Sequence, residues 1–183
     1  MTIIVGLSGS LRRGSYNSAL LRTAAGLVPA GSMLDIASIR DIPLYDGDLE
    51  AEHGIPTPVT ALKERIAVAD GLLLVTPEYN HSIPGVFKNA IDWLSRPTDD
   101  IARVFGGKPV GVIGATPGGM GTTFSQTAWL PVLHTLGTRP FFGKSLYVSG
   151  AGKIFDGQGQ LTDAALRERL RVYVEAFVAF AAH

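Results

Sequence analysis

The amino-acid sequence predicts an α/β fold built on a doubly wound parallel sheet with helices on both faces. Short apolar runs alternate along the chain with amphipathic stretches, the pattern of parallel strands linked by helices. The runs are apolar on successive residues, as strands buried on both faces must be. Five such runs, joined by right-handed crossovers, leave few arrangements other than an open sheet. Of 183 residues, 46% are hydrophobic and 17% charged, which supplies a core and argues against disorder. No linker, repeat or low-complexity tract divides the chain, so residues 1–183 read as one domain.

The first strand is expected at Ile3–Leu7, ending in Ser8–Gly9–Ser10. A helix follows over about Asn17–Leu27, with Leu20, Leu21, Ala24 and Ala25 at helical spacing, and Pro29 and Gly31 stop it. The second strand spans Met33–Ile39. A polar connection, Arg40–Pro58, carries Pro43, Gly47, Gly54 and Pro56; loops of that length are more often functional than idle. Pro58 suits the first turn of a helix reaching Ala69. Gly71–Thr76 is the central strand, and Pro84–Leu94 a helix with Val86, Phe87, Ala90, Ile91 and Leu94 on one face. Lys108–Ala115 is the fourth strand. Thr122–Leu136 is a helix that Pro131 is expected to kink or divide. Phe141–Val148 completes the sheet, and a last helix starts near Thr162 with Leu166, Leu170, Val174, Phe177 and Val178 as its stripe.

Composition narrows the function. Sixteen basic and sixteen acidic residues balance, which argues against a nucleic-acid binder. The chain has no cysteine, so disulfides, thiolate nucleophiles, cysteine-bound zinc and iron–sulfur clusters are excluded. No apolar run approaches the length of a membrane span. Met1–Gly6 lacks the basic region and cleavage site of a leader, and a cytoplasmic protein is expected. His53, His81, His134 and His183 are scattered without metal-ligand spacing, and no G-x-S-x-G elbow marks a hydrolase.

In a doubly wound sheet, ligands sit beyond the carboxyl ends of the strands. The loops after strands one, three and four therefore draw the search. The first, Ser8–Ser18, combines hydroxyls, Arg12, Arg13 and a helix start, the donors a phosphate needs; Ser10, Arg12, Ser15 and Asn17 are the candidates. It is equally an ordinary loop in which Ser15 or Asn17 caps the helix and the arginines are solvated. No G-x-G-x-x-G follows the first strand, and Gly143–Lys144–Ser145 lacks the first glycine of a Walker motif, Thr138 standing in its place. The loop Thr76–Gly85 is stiffened by Pro77 and Pro84 and offers Tyr79 as a flat face and Asn80 as a polar contact, or it is a solvated turn. The loop Thr116–Thr122 holds three glycines in four positions, which suggests positive φ or close approach to a ligand, or a flexible turn before a helix capped by Thr122.

The stretch Gly9–Ser10–Leu11–Arg12–Arg13–Gly14–Ser15–Tyr16–Asn17 and the longer stretch from Pro77–Glu78–Tyr79–Asn80–His81–Ser82 through Ile83–Pro84–Gly85 to Trp93 resemble the NADPH-dependent FMN reductase family. The resemblance implies a flavodoxin-like five-stranded sheet of order 2-1-3-4-5. It places the FMN phosphate among Ser10, Arg12, Ser15 and Asn17, with Ser18 nearby. The flavin ring lies against Pro77, Glu78, Tyr79 and Asn80, with Ser82 contributing, and the loop carrying Thr116, Gly118 and Gly119 closes over its other edge. It further implies NADPH or NADH as co-substrate, hydride transfer through the flavin to a quinone, free flavin or similar small acceptor, and a homodimer or homotetramer. A flavodoxin-like electron carrier and a flavin-free protein using the same pocket are the rival readings. Trp93 reads as a core or subunit-interface residue.

Overall fold

A computed structural model describes all 183 residues, Met1–His183. Four strands form the body of the sheet: β1 (Thr2–Ser8), β2 (Ser32–Ala37), β3 (Gly71–Val75) and β4 (Pro109–Ala115). They pair in parallel in the order β2-β1-β3-β4, and the fifth position is filled by two short segments, β5 (Arg139–Pro140) and β6 (Tyr147–Val148), both parallel to β4. The order 2-1-3-4-5 is the one expected. β3 is central and buried at all five positions, which is why its run reads as unbroken leucine and valine.

Successive strand residues feed opposite cores, as a period of two requires. On one face Ile4, Leu73, Val75 and Ile113 pack with Leu20 and Leu21 of α1 (Tyr16–Ala25) and with Leu170, Val174 and Phe177 of α7 (Ala164–Ala181). On the other, Val5, Leu7, Leu72, Leu74 and Val110 pack with Leu62 and Ile66 of α3 (Thr57–Val68), Phe87 and Ile91 of α4 (Gly85–Leu94), and Trp129 and Leu133 of α6 (Thr123–Thr135). Two helices cover one face and three the other. Trp93 is among the fully buried residues.

The structure corrects three expectations. The fifth strand is not continuous. From Val110 to Gly114 on β4 is four residues, whereas its neighbour takes seven from Pro140 to Tyr147. Pro140 offers no N–H, and the chain leaves the sheet after the Phe141 N–H reaches the Val110 carbonyl. Phe141 turns inward against Tyr173, Phe177 and Phe180, while Phe142 is 74% exposed. Gly143–Lys144–Ser145 lies on this detour. Second, of the two outcomes expected at Pro131, division does not occur: α6 is one helix from Thr123 to Thr135.

Third, the connection Arg40–Pro58 holds a helix of its own, α2 (Gly47–His53), capped by Asp46 and with no buried residue. Without an apolar face it leaves no periodic signal. Polar links dock this segment on α4: the Asn89 amide and the Trp93 indole N–H both donate to the Pro43 carbonyl, and Tyr45 N–H donates to Asn89 Oδ1. The Arg96 guanidinium, 2.9 Å from Glu50, holds that carboxyl below the usual range, helped by the Tyr45 hydroxyl. Donation to the same carboxylate pushes the Tyr45 phenol up. One further short helix, α5 (Ile101–Phe105), buries Val104 and Phe105 beside α3.

Candidate functional site

The loop after β1 ends where Ser15 caps α1, its hydroxyl accepting the Ser18 N–H at 3.1 Å. Asn17 is only 3% exposed, and its side chain is occupied on both sides. Its amide donates to the Ala115 carbonyl and its oxygen accepts the Ala115 N–H, each at 2.8 Å. Asn17 thus ties the start of α1 to the end of β4. Ser18 Oγ lies 2.9 Å from Ser8 Oγ. Three of the five phosphate candidates are therefore engaged within the protein. The groups left to a ligand are the exposed Arg12, the hydroxyl hydrogen of Ser10, whose oxygen takes only a long contact from the Arg12 N–H at 3.4 Å, and the backbone N–H groups of Tyr16 and Asn17, which have no intramolecular partner at the helix start. Unpaired helix N–H groups next to a guanidinium are what an anion requires.

After β3 the chain makes a tight hairpin: Tyr79 and Ser82 exchange backbone hydrogen bonds at 3.2 and 3.1 Å across Asn80 and His81. Both turn residues have positive φ, 50° and 58°, the signature of a type I′ turn. Asparagine suits that conformation and histidine suits it less well. The His81 ring is anchored by an edge contact to Phe124 at 4.8 Å and by Glu78 Oε1 at 3.5 Å from Nδ1. Tyr79 is 43% exposed, presenting its ring at the sheet's carboxyl edge.

The loop after β4 is braced from behind. Thr116 N–H donates to the Val148 carbonyl at 2.9 Å, and Ala151 N–H donates to the Thr116 carbonyl at 3.0 Å. Positive φ falls on Gly121 and Thr122, not on Gly118 or Gly119. A Cβ added at Gly119 would meet nothing within 4 Å, and at Gly118 only the Thr116 hydroxyl at 3.7 Å. These two glycines face open space, so no packing within the chain demands them. Thr122 sits at the cap position of α6 in the left-handed region without a capping hydrogen bond from its side chain. Glu78 does part of that work from the neighbouring loop, its carboxylate accepting the Ser125 N–H at 3.1 Å. Beneath it, Thr76 Oγ1 lies 2.8 Å from Ser125 Oγ and accepts the Trp129 indole N–H at 3.2 Å.

Gly114 permits this closeness, because a Cβ there would stand 2.1 Å from the Thr76 carbonyl and 2.3 Å from Thr122 Oγ1. The three loops meet in one cleft of ≈ 200 Å³, where Ser10, Arg12, Ser15 and Asn17 face Pro77, Glu78 and Tyr79 and, from β4, Thr116. Tyr16, Ala115 and Pro117 also line it. Sequence reasoning missed those three, and also Ser125 and Trp129, whose role depends on packing that no local pattern records. Asn80, Ser82, Gly118 and Gly119 stand on the same loops without lining the cleft, and Ser18 lines a neighbouring cleft instead. An elongated ligand with a terminal phosphate and a flat ring fits this arrangement. Unpaired N–H groups and Arg12 stand on one side, and Pro77 and the exposed Tyr79 ring on the other.

A family model described as NADPH-dependent FMN reductase matches residues 2–153. An NAD(P)H-dependent FMN reductase of Pseudomonas aeruginosa is 44% identical over 173 residues, 94% of this chain and 91% of that protein. A quinone reductase of Escherichia coli is 39% identical over 97% of this chain and 94% of its own length. Among solved structures, the flavoenzyme NAD(P)H:(acceptor) oxidoreductase FerB of Paracoccus denitrificans superposes with a TM-score of 0.87 at 34% identity, covering 100% of this chain and 98% of its own.

Proposed function

This chain belongs to the NADPH-dependent FMN reductase family, and from that premise we propose that it binds FMN in the three-loop cleft and reduces small acceptors, quinones among them, at the expense of NADPH or NADH. The observation that carries the reading is the convergence of the loops after β1, β3 and β4 on one cleft with an anion-ready side and a ring-ready side. When bound, FMN supplies the redox chemistry, taking a hydride from a nicotinamide and delivering it to the acceptor.

The chain's own residues bind and orient. Arg12, Ser10 and the N–H groups of Tyr16 and Asn17 hold the phosphate. The Tyr79 ring and Pro77 wall the flat portion, and the N–H groups of Glu78 and Asn80, which have no intramolecular partner, are donors for its polar edge. The Ser15, Asn17 and Ser18 side chains position that frame rather than the ligand, and the Thr116–Gly119 loop closes the far side. No side-chain nucleophile is required. The reading includes a cytoplasmic homo-oligomer, a dimer or tetramer, whose size light scattering measures; no helix is long and apolar enough to cross a membrane.

The test is an anaerobic visible spectrum of the FMN-loaded protein before and after each nicotinamide donor. Bleaching of the oxidised flavin band within seconds is expected. A bound flavin inert to both donors would point to an electron carrier, and failure to bind FMN would overturn the proposal.

A further inference from the structure

We propose that a second, arginine-lined cleft between α1 and the end of β2 is a phosphate site of its own, and that it takes the adenosine 2′-phosphate of NADPH. The inference rests on the reductase reading and deepens it by assigning a coenzyme preference to named residues.

The cleft has a volume of ≈ 370 Å³ and is separated from the flavin cleft by one wall, Ser10 and Arg12, which lines both. Around it stand Arg12, Arg13, Arg22 and Arg40, and no acidic side chain contributes to its lining. Elsewhere Arg65, Arg96, Arg103 and Arg171 are paired with carboxylates and Arg139, Arg167 and Arg169 stand apart from them, whereas the four around this cleft share one space and none has a carboxylate within 4.0 Å. Four guanidinium groups gathered without a counter-charge repel one another, and a dianion relieves that repulsion.

Arg40 is also placed rather than merely solvated. β2 ends at Ala37, and the chain then turns so that Ser38 Oγ accepts the Arg40 N–H at 3.1 Å. The Arg40 guanidinium in turn donates to the Leu11 carbonyl at 2.5 Å, holding it across the cleft toward the β1 loop. Arg22 rises from α1 on the opposite wall. Buried Leu21, Ala37 and Ile39 make the floor, and half-exposed Ile36 supplies an apolar surface for a purine.

Position and charge agree on the ligand. A 2′-phosphate is a dianion that guanidinium groups bind through paired N–H donors, whereas a free ribose 2′-hydroxyl calls for an acid to accept its proton. Here the acid is missing and arginines are present. A nucleotide lying over the Ser10–Arg12 wall places its nicotinamide end at the flavin cleft and its phosphorylated ribose among Arg13, Arg22 and Arg40.

The test uses FMN-loaded protein and the double variant Arg13→Ala/Arg22→Ala, which spares the Arg40 bond to the Leu11 carbonyl. Steady-state rates with a benzoquinone acceptor give KM for both donors at low ionic strength, and calorimetry gives the affinity of 2′,5′-ADP against 5′-AMP. The expected result is a KM for NADPH raised at least about tenfold with the NADH value moved less than about twofold, loss of 2′,5′-ADP binding, and unchanged FMN affinity. Equal effects on both donors, or none, overturn the proposal. A fall in FMN affinity also overturns it, because the arginines would then serve the flavin's own phosphate. If neither donor reduces the flavin while 2′,5′-ADP binds wild type and not the variant, the site stands and the reductase reading falls.

Discussion

The loops after β3 and β4 are bound to each other through buried and half-buried groups, Glu78 to the Ser125 N–H and Thr76 to Ser125 and Trp129, whereas the Ser10–Arg12 stretch of the loop after β1 is held from nearer the surface, by Ser10 N–H to Ser8 and Arg12 N–H to Ser10 at 3.4 Å and by the exposed Arg40 guanidinium on the Leu11 carbonyl. Under the proposed function the difference matches what each side would hold. A flat ring is recognised by donors at fixed positions, and small displacements lose the alignment. A phosphate is recognised largely by charge, which falls off slowly with distance and tolerates a looser frame. Asn17 joins the two sides through its paired hydrogen bonds with Ala115.

Breaking that joint should have the largest effect. Asn17→Ala leaves the buried N–H and C=O of Ala115 unpaired and is expected to destabilise the protein by about 3 kcal/mol, read from urea unfolding. If the cross-bracing of the ring side matters, Glu78→Ala should cost about 1–2 kcal/mol of stability and also weaken FMN binding by fluorescence titration, while Glu78→Gln, which keeps an acceptor for Ser125, retains most of both. The charge-dominated side predicts a different signature. Arg12→Ala is expected to weaken FMN about tenfold, roughly 1.4 kcal/mol, at low ionic strength and progressively less as salt is added; affinity unchanged in low salt removes Arg12 from the site. The smallest effect concerns the hairpin: His81→Gly should relieve the left-handed turn and change stability by no more than about 1 kcal/mol, in the stabilising direction unless the Phe124 contact outweighs the strain.

The parallel sheet was legible because β1, β3 and β4 are apolar at nearly every position and the turns between elements carry glycine and proline; its order came from the family resemblance. The fifth strand misled for the same reason. Phe141, Phe142, Leu146, Tyr147 and Val148 make an apolar run, but Phe141 and Phe142 serve different surroundings, one the α7 side of the core and the other solvent. α2 was illegible because nothing in Gly47–His53 is buried. At the site, motif and sheet topology pointed to three loops that line one cleft, yet they could not separate residues that face the cleft from residues that hold its frame. An asparagine at a helix start has the same sequence whether its amide meets a phosphate or the backbone of Ala115. Arg22 and Arg40, eighteen positions apart, carry no motif, and only the fold places them around one cleft.

The detour between β5 and β6 also bears on how the molecule behaves in a crowded solution. An open sheet invites a foreign strand to dock along its last edge, where a row of free N–H and C=O groups serves as a template. Here that edge is offered in two segments of two residues each, separated by an excursion that includes Gly143 and the charged Lys144. An approaching strand cannot form a continuous ladder on so short a run, and the interruption protects this edge of the sheet from extension.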